Sequence, residues 1–561
     1  SIQVSKGLSS VNNGAESITG QINMEYRKPT DEKPLFLNAS VMNDTKTDFN
    51  VASSLQMGEK WSTVLLGHVS GNFRTFDHNH DGFMDDPEMF QVNVANRWLY
   101  YGPTGVQVRF GLRGLQDMRK GGQSGYDHKK YTLSSTSPWG SDIVNRQLNT
   151  YVKVGVPISA DNAKNIAFVA DYTLTDMNLR AGASKYLATQ NSGFFNVLFQ
   201  DEINDSHKFT LALGGTADWF SEDFMRKVAA QKLDPGKTSK AFYNAGVSGE
   251  YTFHSGEKFS SILGFRGDWF NGEGFKAVPR LTLKYSPLDQ IVLRANGGRG
   301  LRRALPVIDN IGVLSTGKAF TGAYSDHLLE DAWTFGGNAT FYLPFGASDD
   351  TYLSFDYFGT RFAEQMVVDY EHGLNAIDFY ALGGKRSYSN NYQVDFNVEA
   401  FRRFTVSATF RYTDAKVELE GRGLVERPMT SRYKGVLNLQ YATNLNKWIF
   451  DFTASVNGKS RVYEFMKGLR GEDGELLYKD GYTPVYPLLY LQVTKRFKGV
   501  DLYLGAENLT NFRQKNLVIG TAIEGMSGHV DASRPDFDAS AVWGPIMGTK
   551  FYLGARFTLW K

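Results

Sequence analysis

One pattern constrains this chain more than any other: apolar and polar residues alternate with period two, segment after segment, from Leu35 to the C-terminus. In LFLNASVMN, Leu35, Leu37, Ala39 and Val41 alternate with Phe36, Asn38, Ser40 and Met42. WIFDFTASV sets Trp448, Phe450, Phe452, Ala454 and Val456 against Asp451, Thr453 and Ser455. FTVSATFRY sets Phe404, Val406, Ala408 and Phe410 against Thr405, Ser407, Thr409 and Arg411. KFYLGARFTLWK sets Phe551, Leu553, Ala555, Phe557 and Leu559 against Tyr552, Arg556 and Thr558. Such strands are longer than most soluble ones, and their polar faces carry charge. They suit a bilayer crossing of about 10 residues, apolar toward lipid and polar toward a wet lumen.

The sequence holds 22 such segments, starting near 35, 47, 61, 91, 105, 146, 164, 190, 207, 241, 258, 276, 290, 330, 351, 388, 403, 432, 446, 487, 500 and 549. Short connections (57–60, 286–289, 402–403, 444–447, 498–499) alternate with long ones near 116–145, 217–239, 301–328, 363–386, 460–486 and 513–547. The pattern predicts an all-β fold, a 22-stranded antiparallel transmembrane β-barrel with short periplasmic turns and long extracellular loops. Its place is the outer membrane of a Gram-negative bacterium, in contact with outer-membrane lipid. A propeller would show a repeat of about 40–50 residues, and none is found. Packed sandwiches would expose polar outer faces instead of Phe and Trp on strand after strand.

Composition removes other classes. Among 561 residues, 61 Lys and Arg face 59 Asp and Glu, and the net charge of +2 gives no sign of a nucleic-acid partner. There is no Cys, so neither a disulfide scaffold nor a thiolate metal site is available. No apolar run approaches the ~18 residues of a transmembrane helix. Gly-x-Ser-x-Gly-like fragments lack the strand-to-helix context of a nucleophile elbow, and Asp349-Asp350 falls in a short turn, so no catalytic residue is assigned. The chain opens mid-motif without a signal peptide, which leads us to expect a mature or trimmed sequence.

One loop stands out. DHNHDGFMDDPE (77–88) places Asp77, Asn79, Asp81, Asp85 and Glu88 at the oxygen-ligand positions of a 12-residue EF-hand loop, with Gly82 at its turn. The carbonyl of Phe83 would complete a structural calcium site on the second extracellular loop. A solvated acidic loop with a turn at Asp81-Gly82 fits the same residues, and His78 and His80 would serve a transition metal.

The opening SIQVSKGLSSVNNGAESITGQINMEYRKP resembles the end of the plug domain of TonB-dependent receptors, through Ile2, Val4, Lys6 and Gly7 and then Gly14, Ala15, Ile18, Gly20, Ile22 and Asn23. DLYLGAENLTNF (501–512) and FYLGARFTLW resemble that family's last two strands, as found in Bacteroidetes, and RANGGRGLRRALPVIDNIG (294–312) resembles its seventh-loop motif. Lys561, behind Trp560, departs from the family's terminal aromatic, and most of the plug and the Ton box are missing. The resemblance implies a plug remnant at 1–30, a barrel at 31–561 and coupling to the TonB complex through the plug.

It also implies import of a scarce metal chelate: a siderophore-type iron complex first, cobalamin or haem next. Peptide or glycan import with a surface lipoprotein, or a non-transporting scaffold, are the alternatives. Arg299, Arg302 and Arg303 at the base of the seventh loop would hold an anionic chelate or pair with plug carboxylates. Loop aromatics Tyr126, Trp139, Tyr186, Phe320, Tyr324, Tyr478 and Tyr482 would stack on a planar ligand or pack loop on loop. His327 lies where haem receptors carry a histidine, without the flanking motif.

Overall fold

The computed structural model describes residues 2–30, 32–130, 133, 138–159, 161, 163–229, 231–373, 375–471, 474–515, 518–520 and 531–559. From Leu35–Met42 to Lys550–Leu559, antiparallel strands pair with their chain neighbours, and the last closes on the first, Leu559 opposite Leu35 and Tyr552 opposite Met42. The closed ring has 22 strands. The four-residue Gly423–Glu426 is not a stave: it folds back on the top of Phe404–Leu419, whose lower part pairs with Tyr433–Ala442. No described helix is long and apolar enough to cross a membrane.

The alternation read from the sequence is a lipid face and a lumen face. Leu211, Leu213, Val247, Leu263 and Phe335 point outward and are exposed along the middle of the wall. Aromatic rings mark both ends of this band, with Trp61, Tyr285, Tyr342 and Trp448 beside the short turns and Trp219, Tyr243, Trp269 and Phe275 toward the loops. Inward residues are polar and bonded across strands: His68 to Asn50 at 2.8 Å, Asn338 to Asp356 at 2.9 Å, Thr409 to Asp395 at 2.6 Å.

The strand starts read from the sequence fall within a few residues of those observed, except near 146, 190 and 241. The long loop expected at 217–239 is a correction. His207–Val228 and Gln231–Ser255 run straight through it as a paired hairpin, Val228 opposite Gln231. The physical reason is an inversion of polarity. Below Trp219 the apolar residues face lipid; above it Phe220, Phe224 and Val228 face inward and are buried, while Asp223 and Lys227 face out. The strand has left the membrane, and its inner face packs against loops.

Those loops form a layer with its own core of Leu179, Tyr186, Phe220, Phe224, Leu314 and Phe320, among others. Ala319–Gly322, Ala376–Ala381 and Met366–Asp369 make a three-stranded sheet above the barrel. Arg226 ties the layer to the wall. Fully buried, it donates to the carbonyls of Val313 (3.0 Å), Thr316 (2.5 Å) and Lys318 (2.5 Å) and lies over the Phe320 ring.

The N-terminal segment is not part of the ring. Ile2–Lys6 and Gly20–Met24 pair as a separate hairpin, Val4 opposite Ile22. The stretch between them lies against the inner wall. There the wall has no side chains in the way: a Cβ at Gly264 would sit 2.8 Å from Val11, one at Gly298 2.8 Å from Leu8, and one at Gly300 2.2 Å from the Ser17 carbonyl. Asn12 bonds Asn196 and Ser248, and Ser10 bonds Glu250 at 2.6 Å. Pro279, which has no N–H, sits where Gly274–Leu288 and Ile291–Arg303 stop pairing above Arg280 and Gly298. Arg280 fills that opening, donating to the carbonyls of Ser9, Ser10 and Ala15, each at 3.0 Å. The freed Leu301 N–H bonds the Ala15 carbonyl at 3.2 Å.

Candidate ligand-binding vestibule

Between this segment and the loop layer lies a cavity of about 840 Å³. Ile18 and Thr19 floor it, and Thr334 fixes that floor by donating to the Ile18 carbonyl at 2.5 Å. Its walls come from the loops after Ile291–Arg303, Tyr352–Glu364, Phe404–Leu419 and Trp448–Asn457, and from the upper ends of the strands between them. This is the size of pocket that encloses a drug-sized ligand.

Two chemistries line it. Tyr370 stacks on Tyr463 at 5.1 Å, and Tyr463 on Phe465 at 5.3 Å, giving an aromatic column whose two tyrosines reach the cavity. Buried Lys318 supports it, its ammonium 3.6 Å from the Phe465 ring centroid and 3.2 Å from the Tyr370 carbonyl. Burial raises both phenol pKa values and lowers that of the Lys318 ammonium. The second chemistry is ionic. Glu371 accepts from Arg461 at 2.7 and 3.0 Å and from Arg422 at 3.3 Å. Burial pushes its carboxyl pKa up, but the hydrogen bonds and charge of Arg461 outweigh that and hold it below the usual value. Asp369 pairs with Arg422 at 3.0 Å and Lys416 with Asp414 at 3.5 Å. Arg427 is the exception: exposed in the wall, its side chain has neither ion pair nor hydrogen bond among the described residues.

No family model matches the chain, and no curated protein matches it. Solved structures do. The ferric-catecholate import receptor Fiu of E. coli superposes with a TM-score of 0.68 at 12% identity, over 98% of this chain and 85% of that one. The ferric enterobactin receptor PfeA of Pseudomonas aeruginosa gives 0.69 at 13% identity, over 100% and 85%. FpvA of P. aeruginosa, solved with a pyoverdine–iron complex, gives 0.70 at 11% identity, over 100% and 76%. The fold is that of the TonB-dependent siderophore receptors. Two of these three structures are named as receptors, for ferric catecholate and for ferric enterobactin.

In this receptor fold the three arginines singled out from the sequence sit together but are engaged. Arg299 forms a fork with Asp331 at 2.5 and 2.9 Å. Arg302 bridges Asp309 at 2.5 Å and Glu330 at 3.1 Å, and only Arg302 lines the vestibule. Arg303 pairs with Glu273 at 3.1 Å and lies over Phe242. Their partners are barrel and loop carboxylates, not plug carboxylates. Among the aromatics, Tyr126 donates to Asp142 at 2.6 Å, Trp139 packs on Phe537, Tyr324 packs on Phe320 and Phe379, and Tyr478 accepts from Trp543. All four join loop to loop or loop to wall, and none lines the vestibule. His327 is enclosed by Phe220 and Phe242, which together with Lys240 and Arg303 hold its pKa down to about 4.

The acidic loop is divided. Asp77 accepts from the Asp81 and Gly82 N–H groups at 3.1 and 3.0 Å, and Asp81 from that of Phe83 at 2.8 Å. Asn79 donates to Asp81 at 2.9 Å. Asp85 instead turns inward to His78 at 2.9 Å, and Glu88 to Lys120 at 3.0 Å and Thr75 at 2.8 Å. Among the described residues no three His, Asp or Glu side chains are grouped to hold a metal. The vestibule residues that the sequence reading missed are Tyr370, Tyr388, Arg427 and Tyr463; no local pattern marks them, because they meet only when four loops converge. Lys561 and Trp560 lie outside the described residues.

Proposed function

We propose that this protein imports an iron–siderophore complex across the outer membrane, captured in the vestibule and released inward by TonB-driven movement of the N-terminal segment. The observation that carries the reading is the cavity itself: a ligand-sized chamber opening between extracellular loops and floored by a segment that is not part of the barrel wall. The receptors that share the fold are named for ferric catecholate, ferric enterobactin and pyoverdine, which supports an iron chelate over cobalamin or haem. The outer membrane stores no energy of its own, so movement of the floor needs coupling to the inner membrane. On this reading residues 1–30 are the end of a plug and 31–561 are the barrel.

The test is uptake of radiolabelled iron presented as ferric siderophores to cells with and without the gene, before and after a protonophore. Uptake that depends on both the gene and the proton-motive force supports the reading. Gene-dependent uptake of cobalamin, haem, a peptide or a glycan, and none of iron, replaces it.

Calcium at the 77–88 loop is the second part of the proposal. Asp77, Asn79 and Asp81 already converge on one turn, and Asp77 already cradles the N–H groups of the glycine turn. Binding would draw Asp85 from His78 and Glu88 from Lys120, so the affinity expected is that of a weak extracellular site.

A further inference from the structure

We propose that the vestibule selects an iron chelate of near-zero net charge, of the ferric trihydroxamate type, and disfavours a trianionic tris-catecholate. The inference rests on the proposed import function and narrows it to a ligand class. It comes from how the charges of the cavity are already spent.

Every lining carboxylate stays paired within the protein. Asp309 and Glu330 share Arg302, at 2.5 and 3.1 Å. Asp369 and Glu371 share Arg422, and Glu371 also takes both ends of the Arg461 fork. The lining ammonium of Lys416 is paired with Asp414. A polyanion entering this chamber would therefore meet guanidinium groups whose donors are committed, beside four carboxylates that repel it. Freeing Arg302, Arg422 or Arg461 for the ligand would strand a buried carboxylate, which is strongly unfavourable. Charge recognition of a trianion needs several free cations at short range, and among the described residues the wall offers one without an ion pair, Arg427.

The rest of the lining suits an uncharged, amide-rich chelate. The Tyr370–Tyr463 column and the apolar faces of Val368 and Met429 can bury its backbone. Ser389, Thr413 and Thr430 line the same space, as does Tyr388, over whose ring Arg361 lies at 4.7 Å. Arg427 can donate to a ligand carbonyl or hydroxamate oxygen without surrendering any partner.

The experiment is direct binding to the purified, folded protein, its fold checked by heat-modifiable mobility, at fixed ionic strength. The two probes are ferrichrome, a neutral ferric trihydroxamate, and ferric enterobactin, a trianionic tris-catecholate. The neutral chelate is expected to bind at least about tenfold more tightly. Arg427→Ala should weaken it by about tenfold, the worth of one hydrogen bond from a charged donor. Ser389→Arg, which adds a cation facing the cavity, should strengthen tris-catecholate binding. Equal or tighter binding of the tris-catecholate by the unaltered protein overturns the charge inference and leaves the iron-chelate reading standing. Failure of the folded protein to bind either probe or any other ferric chelate overturns both.

Discussion

The guanidinium of Arg280, on a wall strand, donates to the carbonyl of Ala15, in the segment lying inside the barrel, at 3.0 Å. The same group holds the Ser9 and Ser10 carbonyls. Arg280→Met keeps the bulk and removes the donors: the Ser9 carbonyl loses its partner at ~1–3 kcal/mol, while the Ser10 and Ala15 carbonyls keep only the Asn13 and Leu301 N–H groups. Amide exchange at residues 8–16 should speed up by at least tenfold while exchange in the neighbouring wall strands stays slow. Unchanged protection of that stretch would show that the glycine-lined contact and the Ser10 and Asn12 bonds hold it without Arg280.

That contact has its own test. At Gly300 the clash of an added Cβ would be with backbone, the Ser17 carbonyl at 2.2 Å, so no rotamer can relieve it. Gly300→Ala should displace the segment near Ser17 and enlarge the vestibule floor, while the barrel keeps its heat-modifiable mobility. The readout is cysteine-accessibility labelling at an introduced Thr19→Cys; no gain in labelling over the Gly300 protein would contradict the packing described.

His327 makes the loop layer sensitive to acid. Burial, with Lys240 and Arg303 nearby, lowers its pKa from 6.5 to about 4, and its Nδ1 has no hydrogen-bond partner. A base kept neutral in the folded state contributes stability that is fully present above 6.5 and is lost as pH falls through the window down to about 4. After allowance for partial solvent screening the loss is ~2 kcal/mol. Thermal melts of the purified barrel should show this decline, and His327→Phe should flatten it. A melting temperature with the same pH dependence in both proteins would assign the effect elsewhere.

For the acidic loop, calorimetry with calcium is decisive. A weak, stoichiometric heat that disappears in Asp81→Ala supports the site, and the same titration in His78→Ala should tighten, because Asp85 then loses the imidazole and keeps only the main-chain N–H of residue 78. No heat at millimolar calcium with the unaltered protein removes calcium from the reading.

The barrel was legible because a membrane imposes the same rule on every stave. Lipid on one side and water on the other force period two, and tight turns interrupt it at regular places, so a local pattern repeated along the chain defines the whole architecture. The reading failed where that rule ends. Above Trp219 the apolar face changes sides, from Leu211 and Leu213 to Phe220 and Phe224, and the broken phase looked like a loop. The site was less legible for a related reason. Arg299, Arg302 and Arg303 are conspicuous as a cluster, yet sequence does not show that Asp331, Glu330 and Glu273 arrive to neutralise them. Arg427 is inconspicuous, and its significance comes only from what does not reach it.

Arg226 and Glu371 pin the two banks of this barrel's mouth in different ways. The loop spanning 304–328 hangs by three carbonyls from a side chain rooted in a long exposed hairpin, so it can move only if that hairpin moves with it. On the opposite bank, Arg422 and Arg461 tie their loops to buried Asp369 and Glu371 at 2.7–3.3 Å, while exposed pairs such as Arg432–Glu426 and Lys459–Asp480 lie within one loop each and weaken with salt. A captured molecule is then met by two pinned banks, and ionic strength acts on the loop tips more than on the ties that hold the loops together.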